Sequence, residues 1–222
     1  MGKVQAQAIM SLDGYVAKPD NSIGRLFDWL QNGEVALPTP AGDFEVRLTP
    51  ASAEYWQAWI ASIGVLVCGR TLFDVTRGWG GRHTLDVPVV VVTHRVPEDW
   101  IAAHPDAPFT FVTDGVESAI ARAREIAGDR MVSVTGGTIA RQCLELGLLD
   151  EVAINLVPVV MGAGNRPFFG ELSSTDVMLE NPTVCVQGDR VIHLEFPVRK
   201  SGEPADPERR RPADRRSDAR PR

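Results

Sequence analysis

Residues 131–146 read MVSVTGGTIARQCLEL, a short apolar run followed by two glycines and a helical pattern that stops at Gly147. The apolar run predicts a buried strand, and the segment from about Ile139 to Leu146 predicts the helix after it. Two glycines between a strand and a helix let a ligand approach the backbone closely, and the helix N-terminus directs free N–H groups and a positive dipole toward it. The turn Thr135-Gly136-Gly137-Thr138 is therefore suited to a pyrophosphate, although it is neither a GxGxxG nor a P-loop motif.

The same alternation of short apolar runs and helical patterns covers the first 160 residues, which is typical of parallel strands joined by helical crossovers. The predicted strands are Val4–Met10, Val65–Cys68, Val87–Val92, Phe109–Val112, Met131–Val134 and Val152–Val160. Thr49-Pro50 predicts a capped helix start, and Asp114 with Glu117 predicts a capping box. After residue 170 the apolar residues alternate, and Gln187-Gly188-Asp189-Arg190 predicts a hairpin turn. We expect a mixed, mostly parallel sheet flanked by helices, with a C-terminal antiparallel hairpin.

Composition indicates an ordinary soluble protein: 222 residues, 44% hydrophobic, formal net charge −6. Residues 199–222 hold nine Lys/Arg against five Asp/Glu, which leaves about −10 on residues 1–198. We expect one domain over 1–198 and a disordered, solvated tail over 199–222, with no nucleic-acid role because acids interleave with its arginines and it has no aromatic residue. No apolar run approaches the ~20 residues of a membrane span, so we expect a cytoplasmic protein. Three cysteines, Cys68, Cys143 and Cys185, predict reduced, buried thiols and no metal site.

Small, polar or glycine-containing groups follow each of the first five predicted strands. They are Ser11–Gly14, Gly69–Thr71, Thr93–Arg95, Thr113–Gly115 and Thr135–Thr138. If the strands are parallel, all five groups meet at the edge where open α/β sheets hold ligands. Arg70 and Thr93-His94-Arg95 would supply cations and hydroxyls for a second phosphate, such as the 2′-phosphate of NADP. The alternatives are a surface salt bridge for Arg70 and an ordinary loop residue for His94.

Several of these motifs occur in one order that resembles a known family. The motifs are Ser11–Ala17, Val67–Arg70 with Leu72-Phe73-Asp74, Val92–Arg95, Thr135–Gly137, Asp150–Val152 and Pro158–Gly164. Over roughly residues 3–198 the chain resembles the bacterial dihydrofolate-reductase-like family, which includes the C-terminal reductase domain of riboflavin biosynthesis. The resemblance implies a three-layer α/β fold of the dihydrofolate-reductase type, the cofactor NADPH, and a homodimer that pairs through late strands.

The resemblance also implies roles for individual residues. Cofactor-binding positions would be Gly14, Gly69, Arg70, Thr71, Thr93, His94, Arg95, Gly136, Gly137 and Thr138. Asp13, a candidate catalytic residue, would face the nicotinamide and substrate. Many relatives carry a threonine where this chain has Leu72, and Thr71 is the candidate replacement.

The implied reaction is hydride transfer to a C=N or C=O carbon of a small heterocyclic, pterin- or aminopyrimidine-like metabolite. In the long segment from Arg25 to Phe44, which we expect to be irregular, Asp28 is a candidate catalytic residue and Trp29 a candidate pocket residue. Trp79, in a glycine-rich loop, predicts a lid, with packing in the core as the alternative. A non-enzymatic NADP- or ligand-binding protein on the same fold, and a flavin- or pterin-linked role without NADPH, remain open.

Overall fold

The computed structural model describes residues 2–173 and 176–199. The strands in these ranges are β1 (Val4–Ser11), β2 (Tyr15–Ala17), β3 (Val35–Pro38), β4 (Glu45–Leu48), β5 (Ile63–Gly69), β6 (Val89–Val92), β7 (Phe109–Val112), β8 (Met131–Thr135), β9 (Glu151–Val157), β10 (Arg166–Pro167), β11 (Val184–Gly188) and β12 (Val191–Pro197). The helices are α1 (Pro50–Ser62), α2 (Arg70–Val75), α3 (Glu98–Ala103), α4 (Val116–Ala127) and α5 (Thr138–Glu145), with 3-10 turns at Asp28–Gln31 and Arg77–Gly81.

Eight strands form one sheet in the order β11-β12-β9-β1-β8-β5-β6-β7. The six strands from β9 to β7 are parallel to their neighbours, as in the pairing of Ala6 with Val134 between β1 and β8. Strands β11 and β12 are antiparallel and meet across the turn at Gly188 and Val191. The predicted mixed, mostly parallel sheet with a final antiparallel hairpin is therefore confirmed.

Two small sheets lie outside the main one. Strands β3 and β4 form an antiparallel hairpin, so the prediction of an irregular segment from Arg25 to Phe44 is wrong for Val35–Pro38 and for the 3-10 turn Asp28–Gln31. On β4 the buried side chains of Val46 and Leu48 alternate with exposed ones. An alternation over only four residues is too short to be recognised as a strand from the sequence. Strand β10 pairs with β2, which holds residues 166–167 beside the turn after β1.

Helix starts agree with the sequence in one case and differ in another. The Thr49 side chain accepts a hydrogen bond from the Ser52 N–H and Pro50 opens α1, as predicted. The capping box at Asp114 is wrong, because α4 begins at Val116 after Gly115 and has no side-chain cap. Gly115 has φ 105°, a conformation that glycine adopts readily and that starts the helix one residue later.

Helices cover both faces of the sheet and give three layers. Helices α4 and α5 pack on β5, β6 and β8, around a core that includes Ile120 and Val134. Helix α1 lies on the other face, where Trp59 packs with Ile63 and Leu66. None of the helices in the described ranges is long and apolar enough to cross a membrane.

Two of the three cysteines are buried as predicted, and the third is not. Cys68 and Cys143 are buried, and burial raises the pKa of each thiol to about 12. Cys185 is exposed, because it lies on β11 at the edge of the sheet. Apart from Arg199, the predicted tail 199–222 lies outside the described residues.

Candidate functional site

The turns that follow the parallel strands meet at one edge of the sheet. The Phe168 N–H donates to the Gly14 carbonyl oxygen, and the Gly137 N–H donates to the Phe168 carbonyl oxygen, so the turns after β1 and β8 are joined through one residue. The turns after β5 and β8 also meet, because a Cβ added to Gly69 would lie 3.2 Å from Cγ1 of Ile139. The strand-end groups that the sequence singled out therefore form one continuous row.

Arg70 joins the turns after β5 and β6. Its Nε donates to Asp74 Oδ1 at 2.7 Å, and its Nη1 donates to the Arg95 carbonyl oxygen at 2.8 Å. The Thr93 hydroxyl lies 3.5 Å from Nη1 and also donates to the Arg95 carbonyl oxygen. Within the described residues no acceptor occupies Nη2, and 38% of the side chain is exposed. The guanidinium is thus held in place with donors left for an anion.

In the turn after β8, Gly137 has a backbone conformation that favours glycine. Gly137 has φ 112°, which side-chain-bearing residues rarely adopt, and a Cβ there would meet no atom within 4 Å. Open space therefore lies directly over the backbone. Helix α5 begins at the next residue, Thr138, which is exposed, and the first N–H groups of a helix have no acceptor within the helix. A phosphate group fits this combination of access and dipole.

Asp13 acts in the structure as a hydrogen-bond acceptor. Its carboxylate accepts from the Ser11 hydroxyl at 2.6 Å, from the Met161 N–H and from the Gly162 N–H at 2.7 Å. The Ser11 hydroxyl and these two N–H groups lower the pKa of Asp13 to about 2. The carboxyl group is ionised at neutral pH and cannot deliver a proton. Its geometry ties the turn after β1 to the segment after β9.

A cavity of about 310 Å³ opens beside this segment. The residues that line it are Arg25, Asp28, Trp29, Val157, Pro158, Val159 and Arg190. Asp28 pairs with Arg25 at 2.9 Å and is half exposed. A second cavity of about 240 Å³ shares Arg25 with the first and is also bordered by Lys18. Asp28 and Trp29 are thus brought to the same edge as Asp13.

Trp29 is both a cavity wall and a core residue. Only 2% of its surface is exposed, and it packs with Leu26, Leu30 and Val191. Its indole Nε1 is buried and has no hydrogen-bond partner among the described residues. The cavity therefore has a rigid aromatic wall on one side.

Trp79 does not reach this edge. Its ring lies 6.4 Å from Phe109 and 4.6 Å from His83. Phe109 is the first residue of β7, at the opposite end of that strand from Thr113. The neighbouring glycines 78 and 80 have positive φ and form a tight 3-10 turn. Trp79 packs among the aromatic residues under α2 and α3, so its position fits the core interpretation and not a lid.

The remaining predicted residues lie at the strand-end edge with different exposure. Thr71, His94 and Arg95 are exposed, and Thr93 is buried. Leu72, which stands where relatives carry a threonine, packs into the core beside Phe73 and offers no hydroxyl. Thr71 is the hydroxyl available at this point of the helix.

Sequence reasoning missed the cations of the two cavities, which are Arg25, Lys18 and Arg190. Arg190 lies in the turn between β11 and β12. Because β12 is antiparallel to β9, its first residue lies beside the last residue of β9, at the ligand edge. The sequence predicted the hairpin turn that contains Arg190. Only the pairing of β12 with β9 shows that this turn lies at the ligand edge.

Comparison with known families gives one match over most of the chain. Residues 2–192 match the family described as the RibD C-terminal domain. The curated Bacillus subtilis protein YwjB, described as uncharacterized, is 24% identical over 165 residues, which are 74% of this chain and 81% of that protein.

Solved structures show the same fold. A putative riboflavin biosynthesis protein from Shewanella sp. PV-4 superposes with TM-score 0.60 and 22% identity, covering 89% of this chain and 99% of that one. The riboflavin biosynthesis reductase Rib7 of Saccharomyces cerevisiae superposes with TM-score 0.56 and 10% identity, covering 89% of this chain and 90% of that one. These likenesses confirm the dihydrofolate-reductase-like architecture.

Proposed function

Because the chain belongs to the RibD C-terminal domain family, we propose that it is an NADPH-dependent reductase of a small heterocyclic, pterin- or aminopyrimidine-like metabolite. Membership of the family supports an oxidoreductase role. The choice of NADPH and of substrate class is our proposal. The observation that carries it is the continuous row of strand-end groups, with an arginine at one end, an open glycine turn in the middle and a cavity at the other end.

The row fits the length and charge of a phosphorylated dinucleotide. Arg70, Thr93 and Arg95 would hold the 2′-phosphate, with Thr71 and His94 beside them. Gly137 and the N-terminus of α5 would hold the pyrophosphate. These two positions lie at the ends of β6 and β8, which are two strands apart in the sheet, or about 10 Å. Continuing along the edge, Gly14 and Asp13 at the end of β1 would border the nicotinamide.

NADPH, when bound, supplies the hydride for the reduction. The protein's part is to place the acceptor carbon against the nicotinamide and to keep the orientation fixed, an effect worth up to ~7–11 kcal/mol of the barrier. Asp13 contributes by holding Met161 and Gly162 at the end of the row. Its pKa of about 2 excludes it as the proton donor at neutral pH. We therefore assign the proton to solvent and give Asp13 a positioning role.

The cavity beside Asp13 suits a planar substrate. Leu12 and Val160 are 62% and 71% exposed and lie next to each other, because the Leu12 N–H donates to the Val159 carbonyl oxygen. Val160 borders the second cavity, and Leu12 beside it adds a second exposed apolar side chain that an aromatic ring would contact. Trp29 closes the inner side, and Asp28 presents a carboxylate that would accept from ring N–H or amino groups.

The partner that we propose is a second copy of the chain. On the face of β9 and β12 that lies opposite α1, Ile154, Leu156 and Leu194 are half-buried and Ile192 is 38% exposed. They adjoin the unpaired edge strand β11, so a homodimer would cover both. Leu194→Glu should convert a dimer to a monomer in light scattering, and a wild-type monomer would contradict the proposal.

The test of the proposed function is a titration of the purified chain with NADPH and NADH, followed by tryptophan fluorescence. NADPH should bind more tightly than NADH, and absorbance at 340 nm should fall when a reducible pterin or aminopyrimidine is added. Binding without turnover across a broad panel would favour the non-enzymatic alternative. Failure to bind either nucleotide would refute the cofactor assignment.

A further inference from the structure

The wall that Trp29 gives the cavity depends on a residue behind it. The Trp29 ring contacts His193 edge to face, with centroids 5.3 Å apart and planes at 67°. It also contacts Trp56 at 6.0 Å. With its indole N–H unpartnered among the described residues, Trp29 is oriented by ring packing and not by a hydrogen bond. Whatever fixes the His193 ring therefore fixes one side of the cavity.

His193 is fixed at both ring nitrogens. Its Nδ1 lies 2.6 Å from Asn155 Oδ1, and its Nε2 lies 2.9 Å from the Ser52 hydroxyl. An amide oxygen only accepts, so Nδ1 donates and Nε2 accepts from the serine. Tyr55 stacks on the ring at 4.4 Å with planes 23° apart. The ring is fully buried, and burial lowers its pKa to about 4, so the imidazole is neutral near pH 7.

A histidine at this position combines an aromatic ring with a hydrogen-bond donor and an acceptor, whereas phenylalanine supplies only the ring and glutamine only the hydrogen-bonding groups. Phenylalanine would keep the ring contacts but leave the Asn155 amide oxygen and the Ser52 hydroxyl buried without their partner, which is costly. Glutamine would offer one donor and one acceptor but no ring. Asn155 lies on β9, and Ser52 and Tyr55 lie on α1, so two elements besides His193's own strand β12 set the ring orientation.

From this geometry we infer that His193 is a positioning residue for the substrate pocket, holding the indole of Trp29 in place as the inner wall through its bonds to Asn155 and Ser52. The inference rests on the proposed function, since it assigns the pocket to the substrate. His193 does not itself line the cavity, so it acts on the pocket through its contact with Trp29. A variant that frees the His193 ring should bind the substrate more weakly and should bind NADPH as the wild type does.

The test places 5-fluorotryptophan in the protein and follows its five tryptophans by fluorine NMR, with Trp29→Phe assigning the Trp29 signal. In His193→Phe the Trp29 signal should shift or broaden, while the signals of Trp79 and Trp100, which lie in another cluster, stay unchanged. His193→Gln, which keeps hydrogen-bonding groups but removes the ring that packs on Trp29, should also shift the Trp29 signal. Tyr55→Phe, which keeps the stacked ring, is the matched control and should leave the signal in place.

The kinetic arm measures KM for the pterin or pyrimidine substrate, kcat and the NADPH Kd. His193→Phe should raise KM roughly tenfold with kcat and Kd changed less than about twofold, because a wall displacement affects capture more than the cofactor. If His193→Phe does not fold, Ser52→Ala removes one anchor alone and should shift the Trp29 signal in the same direction. An unmoved Trp29 signal in both variants, or equal losses in KM and NADPH affinity, would overturn the inference. Absence of turnover in the wild type would refute the proposed function, while the fluorine signals would still decide whether His193 fixes Trp29.

Discussion

Replacing Arg70 by alanine removes the guanidinium that bridges the turns after β5 and β6. The side chain donates to Asp74 and to the Arg95 carbonyl oxygen, and its Nη2 has no acceptor among the residues that the structure describes. If Nη2 donates to the 2′-phosphate, the lost charge-assisted bond is worth about 1.5–3 kcal/mol. That corresponds to a Kd for NADPH about 10- to 150-fold higher. NADH lacks this phosphate, so its Kd should change less than about threefold.

The fold should tolerate this change. The ion pair of Arg70 with Asp74 has side chains 38% and 53% exposed, and an exposed pair contributes less than about 1 kcal/mol. Calorimetric titration of NADPH and NADH, at one fixed salt concentration, measures the effect. Arg122→Ala is the matched control, because Arg122 also forms an exposed ion pair on a helix, with Glu125, but lies away from the edge. Equal losses for the two nucleotides would refute the assignment of Arg70 to the 2′-phosphate.

Three further changes test other parts of the row and of the fold. Gly137→Ala forces a side chain into φ 112° at a cost of about 1–3 kcal/mol of unfolding free energy. It should lower the affinity for NADPH and for NADH by the same factor in titration. Gly128→Ala, at φ 62° and remote from the edge, is the control and should lower only the melting temperature. A loss of affinity confined to NADPH would contradict the pyrophosphate role of Gly137. Asp13→Asn should destabilise the protein above about pH 4 in urea unfolding. The reason is that a carboxylate whose pKa is lowered to about 2 stabilises the fold above its unfolded pKa and loses that effect as the pH falls toward 2. A difference in stability between wild type and variant that does not change with pH would contradict this role of Asp13. Burial, and then the nearby Glu151 carboxylate, raise the pKa of Glu195, so its ionised form is disfavoured in the fold and the penalty grows as pH rises. Glu195→Gln should therefore unfold at a higher urea concentration than the wild type at pH 8, and this difference should disappear near pH 4. Glu151→Gln, which removes the carboxylate that pairs with Lys3, should unfold at a lower urea concentration than the wild type. The reverse order of the two variants would contradict this assignment of the unfavourable charge to Glu195.

The positions of the strands along the chain were the part of the fold that could be predicted best from the sequence. Val89–Val92 is a continuous apolar run because β6 lies between β5 and β7 in a parallel sheet, and such a run is visible without alignment. The order of strands was not visible, because β1 pairs with β8 and β9, more than 120 residues away. Local propensity has no information about such pairings.

The missed details have local physical causes. Cys185 sits between two valines and was predicted to be buried, but β11 is an edge strand whose outward face has no cover. The Asp114 cap failed because Gly115 with positive φ starts the helix without a side-chain oxygen. Both outcomes depend on a neighbour or a dihedral angle that residue type does not specify.

The half of the candidate site that we propose for the cofactor was predictable from the sequence, and the half that we propose for the substrate was much less so. Arg70, Thr93 and Gly137 follow strands directly, so parallel order alone brings them together. Trp29 and Arg190 reach the cavity from segments 160 residues apart, through the packing of a 3-10 turn on the final hairpin. No spacing rule connects them.

A crystal structure of the chain with NADP⁺ tests the central proposal most directly. The adenosine phosphate should lie against Arg70 and Arg95, the pyrophosphate over Gly137, and the nicotinamide between Gly14 and the cavity walled by Trp29. Density for the nucleotide elsewhere on the sheet, or in the reverse direction along this edge, would contradict the account.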